Sequence, residues 1–226
     1  MSRGLVTSAT ILANGPALQD AIRQIGDYRA CSFGVHLNLT QYRPLTEAEA
    51  FNEIVDKNGD FSGNLQNVHL TPALRKAIFE EWCAQIEKLE SYGVRISHID
   101  SHEHVHTIPH LFAILKLTQR RFRIHRVRIT KNIYSYDLPI ESNMLLLKKK
   151  IWNFALRNYY RTTTASAFTE FSTFLKVAKD LQLSHGTVEL MVHPGYPHAA
   201  DEVAHLQSPW HIGLPFIVHL INYNML

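Results

Sequence analysis

Between Arg95 and His110 the chain reads RISHIDSHEHVHTIPH, which places five of its fourteen histidines within thirteen residues. On a β-strand, side chains two apart share a face, so Val94, Ile96, His98, Asp100 and His102 line up together. That face begins apolar, as a buried wall must, and turns into His, Asp and His at its C-terminal end. A buried aspartate needs a partner. Neutral imidazole is the commonest metal ligand and the usual proton-transfer group near neutral pH. A solvated charge run would use Lys or Glu instead. The segment therefore predicts a buried strand whose C-terminal end forms one wall of a metal site.

The surrounding sequence alternates strand and helix signals. Gly4–Ala13 is apolar and β-branched, and reads as a strand. A helix follows over about 16–25, with Pro16 near its start and Gly26 closing it. Cys31–Thr40 alternates as a strand, with Phe33, Val35 and Leu37 on one side and Gly34, His36 and Asn38 on the other. The long loop 41–70 contains DKNGDFSG, a turn-rich stretch suited to a small hairpin or lid. Leu74, Ile78, Trp82, Ile86 and Leu89 recur at spacings of three and four and predict a helix over 71–92, ended by Gly93. The His-rich strand comes next, then a helix from Pro109, a strand at HRVRIT, a mostly helical stretch over about 145–183, and a buried strand in TVELMVHPG. Such alternation implies parallel strands with crossover helices, hence an α/β domain, either a barrel or an open sheet. With no repeat or linker, residues 1–226 are expected to form one domain.

Composition narrows the class. At 226 residues, 46% hydrophobic and 19% charged, the chain can bury a substantial core and shows no sign of disorder. The net charge of +3 is mild, and the basic clusters at 120–128 and 148–150 suit a helix end or barrel rim better than a nucleic-acid footprint. Cys31 and Cys83 make neither a disulfide framework nor a thiolate site, so reduced thiols in a cytoplasmic protein are expected. No charged n-region followed by an apolar h-region is read at the start, so no leader peptide is expected, and no apolar run approaches the roughly 20 residues of a membrane span. The C-terminal IGLPFIVHLINYNML is apolar but interrupted by Pro215, His219 and Asn222.

Three polar clusters lie at C-terminal ends of predicted strands: His36 with Asn38, the run His98–Asp100–His102–His104–His106, and His193 before Pro194-Gly195. In α/β barrels the active site is built there. Two histidines from different strands plus a carboxylate make a sensible set of donors for a divalent cation that keeps a position open for water. Duller readings stand beside these. His36 could be a satisfied core histidine, His193 could cap a strand, and His98, His104 and His106 could line or orient the site. His69, His110, His125, His185, His198, His205, His211 and His219 carry no functional reading.

At these residues the sequence resembles the YdjC-like family, also called the ChbG/HpnK family, of carbohydrate deacetylases. The matching stretches are GLVTSATILANG (4–15), FGVHLNLT (33–40) followed by RPL, YGVRISHIDSHEHVHTIP (92–109) and ELMVHPGYP (189–197), in order over about 4–200. The resemblance implies a deformed (β/α) barrel that binds a divalent metal, Mg²⁺ by family habit, and removes acetyl groups from N-acetylated amino sugars such as chitooligosaccharides. It places the two metal histidines on His36 and His102 and the His-Pro-Gly histidine on His193, the candidate general acid. Asp100 would orient a histidine, and Asn38, His98, His104 and His106 would contact substrate or support the ligands. Imidazole donors alone would also suit Zn²⁺.

The sequence departs from the family at both ends. The family's opening Asn-Ala-Asp-Asp-Phe-Gly strand has no counterpart, so the barrel is expected to be incomplete at its N-terminus and to lack the aspartate that serves as base. Residues 207–226 are atypical. Three functional readings follow: a metal-dependent deacetylase acting on an acetylated sugar, a truncated remnant that binds metal or sugar without turnover, and a His-rich metal buffer, the weakest because its histidines sit at strand ends. A homodimer is one way to cover an exposed sheet edge.

Overall fold

The computed structural model describes residues 5–63, 65, 67–136, 142–181, 186–196 and 200–226. Gly4, His185, Pro197 and His198, which figure in the sequence readings, lie outside the described residues. The chain divides into two compact units. The first comprises the residues up to Val127 with Asn158–Thr163 and Asn222–Leu226; the second comprises Arg128–Arg157 and Thr164–Ile221.

In the first unit β1 (Ser8–Ile11), β2 (Ser32–Leu37) and β3 (Ile96–Ser101) form a parallel sheet in the order β1-β2-β3. Helix α1 (Leu18–Ile25) connects β1 to β2, and α2 (Pro72–Ser91) precedes β3. The parallel pairing continues through single bridges from Ile99 to Val127 and from Arg126 to Thr163. The α/β class expected from the alternation is what the chain adopts, although the strand expected at HRVRIT is reduced to those two bridging residues.

Helix α2 shows why the sequence folds this way. The Thr71 hydroxyl accepts a hydrogen bond from the Leu74 N–H, Pro72 occupies the first turn, and Gly93 at φ +80° follows the end. Its apolar stripe, Leu74, Ile78, Trp82, Ile86 and Leu89, is fully buried, as are Val35, Leu37 and Ile99 of the strands it packs on. Each such side chain contributes about 1.5–3 kcal/mol of burial free energy. The sheet is therefore apolar toward α2 and polar on its other face, and the polar face carries the site.

Helix α3 (Phe112–Phe122) buries one cation. Lys116 donates to Gln119 Oε1 at 2.9 Å, the Tyr159 carbonyl at 3.0 Å and Thr162 Oγ1 at 2.7 Å. Burial pulls its pKa down to about 8. Below that value the ammonium is charged in both folded and unfolded chains. Between about 8 and the ordinary lysine value the folded chain gives up its proton while the unfolded chain keeps it, so stability rises with pH. Denaturant titrations at pH 7.5 and pH 10 should show wild type gaining about 2–3 kcal/mol relative to Lys116→Met over this interval. A flat difference would contradict the assignment.

In the second unit α4 (Asn143–Asn158) precedes β4 (Ala167–Glu170), α5 (Phe171–Val177), β5 (Val188–Met191) and α6 (Ala200–Gln207), and β4 pairs parallel with β5. The expectation of a mostly helical stretch over 145–183 missed β4. Four residues are too few to establish a period, and Phe168 and Thr169 are buried through contacts distant in sequence. Among the described residues no helix is long and apolar enough to cross a membrane.

Candidate active site

The register of the parallel strands builds the site. His36 is the pairing partner of Asp100, so both side chains emerge from one face at the C-terminal ends of β2 and β3. His36 Nδ1 lies 2.6 Å from Asp100 Oδ1. From β1, Thr10 Oγ1 donates to Asp100 Oδ2 at 3.1 Å and lies 3.2 Å from His36 Nδ1. The Asp100 carboxylate is 1% exposed. An ionised carboxylate only accepts, so Nδ1 of His36 carries the hydrogen and Nε2 keeps its lone pair. The sequence reading missed Thr10, because a hydroxyl in a β-branched strand gives no signal of its own.

His102 stands beside this cluster, its ring centroid 5.6 Å from that of His36 with the planes at 66°. It does not sit on the strand, as the alternation suggested. β3 ends at Ser101, and 102–107 turn tightly with Glu103 (φ 48°) and His104 (φ 56°) both left-handed. The turn is pinned from within. Ser101 Oγ accepts the His106 N–H at 3.0 Å and lies 2.5 Å from His106 Nδ1, while Thr107 Oγ1 donates to the His104 carbonyl. His106 is buried as the anchor of this turn, and His104 is one of its two strained residues.

The remaining strand-end candidates separate. His98 lies toward the other end of β3, stacked on Tyr223 at 3.6 Å and 4°, with Nδ1 2.7 Å from Ser97 Oγ. The Tyr223 N–H reaches Ser8 Oγ and Ser32 Oγ, so residues 222–226 cover that end of the sheet. Asn38 is buried and spends its amide inside its own loop. Its Oδ1 accepts from the Thr40 and Gln41 N–H groups, and its Nδ2 donates to Asn14 Oδ1 and the Gln41 carbonyl. Asn38 thus shapes the loop after His36 instead of facing a ligand. His193 is exposed in the second unit, its N–H bonded to Glu202 Oε2 at 2.7 Å and its ring 6.4 Å from that of Tyr196.

The loop after β2 is held by two buried side chains of α2. Gln85 exchanges hydrogen bonds with the Asn38 N–H (2.9 Å) and carbonyl (2.8 Å), and Glu81 accepts from the Leu45 and Thr46 N–H groups and the Thr46 hydroxyl. Sequence reasoning passed over both, although polar residues four apart flanking an apolar stripe were a readable signal.

A model of YdjC-like proteins matches residues 1–212 of this chain. The chain belongs to the YdjC-like family. Among YdjC-like relatives, a carbohydrate deacetylase of Geobacillus stearothermophilus is 39% identical over 136 residues, 60% of this chain and 53% of that protein. The match thus spans about half the length of that relative. A carbohydrate deacetylase of Halalkalibacterium halodurans is 26% identical over 212 residues, covering 92% of this chain and 79% of its own length. A crystal structure from Enterococcus faecalis, described as a candidate cellobiose-phosphate cleavage protein, superposes with a TM-score of 0.66 at 24% identity, over 92% of this chain and 77% of that one. That likeness supports the α/β fold.

The cluster brings two imidazoles together, those of His36 and His102. Among the described residues no group of three or more His, Cys, Asp or Glu side chains is placed to hold a metal ion. The oxygens of Asp100 are turned to Thr10 and His36, which makes this carboxylate an orienting group.

Proposed function

We propose that this chain is a carbohydrate deacetylase that hydrolyses the acetamido group of an N-acetylated amino sugar, of the chitooligosaccharide type, with a divalent cation held by His36 and His102. The observation that carries this reading is the ordered pair of histidines. Thr10 and Asp100 hold His36 at Nδ1, which leaves Nε2 as its donor nitrogen, and the His102 ring centroid lies 5.6 Å from that of His36. The donor set fits a cation in part: two nitrogen donors come from the chain, and water or substrate oxygen would complete the sphere. Mg²⁺ is the family's habit, whereas two imidazoles favour Zn²⁺. Bound there, the ion would polarise an acetyl carbonyl and acidify a water. The chain's own part is to orient His36 through the buried Asp100, and His193 of the second unit remains the candidate for protonating the departing amine.

A second reading is favoured by the absence, among the described residues, of a group of three or more His, Cys, Asp or Glu side chains placed to hold a metal ion. It holds that the chain binds metal or sugar without turnover. One assay separates the two. Purified protein is given N,N′-diacetylchitobiose with Mg²⁺ or Zn²⁺, and released acetate is followed before and after EDTA. Acetate release that disappears on chelation and returns with added metal is the expected result. Stoichiometric metal binding with no acetate would overturn the deacetylase reading and leave the second.

A further inference from the structure

Tyr42 holds a conformation that its side chain disfavours. It has φ +62° in the loop that leaves β2, a left-handed backbone in which a bulky residue is an outlier and glycine is at ease. The backbone around it is over-determined. Asn14 Nδ2 donates to the carbonyls on both sides, Gln41 at 3.2 Å and Arg43 at 3.1 Å, and the Phe61 N–H donates to the Tyr42 carbonyl at 3.0 Å. A second amide, Nδ2 of Asn38, also bonds the Gln41 carbonyl. So much fixing around a strained residue is the pattern of ligand clamps, where strain is retained for what the residue presents. What it presents is a phenol ring, with the residue 40% exposed.

The loop that carries Tyr42 lies beside the turn that carries His102. Thr40, two residues before Tyr42, lies against Gly63, which follows the 55–61 hairpin, and Gly63 in turn lies against Glu103, which follows His102. A Cβ on Gly63 would be 3.9 Å from both the Thr40 carbonyl and Glu103 Oε2. The β2 loop, the hairpin and the His102 turn therefore converge on one rim, and Tyr42 is the exposed aromatic residue of the β2 loop.

We propose that Tyr42 is a sugar-binding platform whose ring stacks on a pyranose of the substrate. The negative face of the ring suits the electropositive C–H groups on one face of a pyranose, and a rigid aromatic offers this contact at small entropic cost. The hydroxyl is not required. The assignment rests on the reading of the chain as an acetylated-sugar enzyme, and it deepens that reading by naming the residue that grips the ring.

Calorimetric titration of N-acetylglucosamine and N,N′-diacetylchitobiose into wild type, Tyr42→Gly and Tyr42→Phe tests it, with melting temperature and acetate release measured in parallel. Tyr42→Gly should bind the sugar about tenfold more weakly yet melt a few degrees higher, because the left-handed strain is relieved. Tyr42→Phe should match wild type within about twofold on both counts. With turnover, the Gly variant should raise KM and leave kcat nearly unchanged. Equal affinity in the Gly variant overturns the proposal, as does failure of wild type to bind either sugar. A lower melting temperature for Tyr42→Gly with lost binding in Tyr42→Phe also overturns it, since the residue would then be structural. Ring-dependent binding without acetate release upholds the platform while defeating the deacetylase reading. Acetate release indifferent to the ring does the reverse.

Discussion

His102→Ala is expected to lower acetate release about a thousandfold or more without unfolding the protein. The two halves of this expectation have separate grounds. His102 is partly exposed and begins the turn after β3, so truncating it removes little packing. The ring stands 5.6 Å from that of His36, and its loss leaves any cation with a single nitrogen donor from this pair. The informative control is His104→Asn, two residues along. His104 is held at φ 56°, a conformation that asparagine tolerates well, so this change removes an imidazole while respecting the backbone. Its activity should stay within about threefold of wild type, since a substitution that disturbs neither ligands nor packing has small effects. Zinc titrations should follow the same order, with stoichiometric binding lost in His102→Ala and kept in His104→Asn. Equal losses in both variants would mean that the run acts as a diffuse metal-binding tract, and the assignment of His102 would fail.

What the sequence revealed of this site followed from local periodicity. Alternation placed His36 and Asp100 on strand faces, and their partnership needed only the strands to be parallel and adjacent. The extension of that face to His102 was wrong in geometry, because the strand stops where Ser101 captures His106 and forces two left-handed residues. That capture depends on a side chain bonding the backbone five residues on, which no period of two encodes. His98 shared the predicted face yet belongs to the packing at the far end of the sheet, and only the return of Tyr223 from the C-terminus reveals this. Thr10 was invisible for a related reason, and Glu81 and Gln85, legible only as polar positions beside an apolar stripe, owe their roles to the same cause. Each acquires its role from a partner at least 35 residues away in sequence. Local pattern specifies elements and faces, whereas long-range register decides which polar groups meet.

Gly34→Ala is expected to destabilise the first unit by about 3 kcal/mol or more, enough to unfold a chain of ordinary stability in part. Gly34 lies in β2, two residues before His36. A Cβ there would stand 2.6 Å from His98 Cε1, 2.7 Å from His98 Nδ1 and 2.6 Å from the His98 carbonyl oxygen. The ring cannot swing away cheaply, being stacked on Tyr223 and bonded to Ser97, and the carbonyl belongs to the sheet itself. Relief must come from moving β2 and β3 apart, which would also separate His36 from Asp100. Denaturation midpoints measured with unchanged slope would quantify the loss. A double variant identifies the cause. If the ring alone were the obstacle, His98→Ala would restore Gly34→Ala; because the backbone oxygen is equally close, rescue should be incomplete. Gly26→Ala is the counter-case: nothing lies within 4 Å of its Cβ position and φ is −58°, so that change should stabilise by about 0.4–1 kcal/mol. A loss below about 1 kcal/mol at Gly34, or full rescue by His98→Ala, would show that the strands yield more readily than a close-packed interior should.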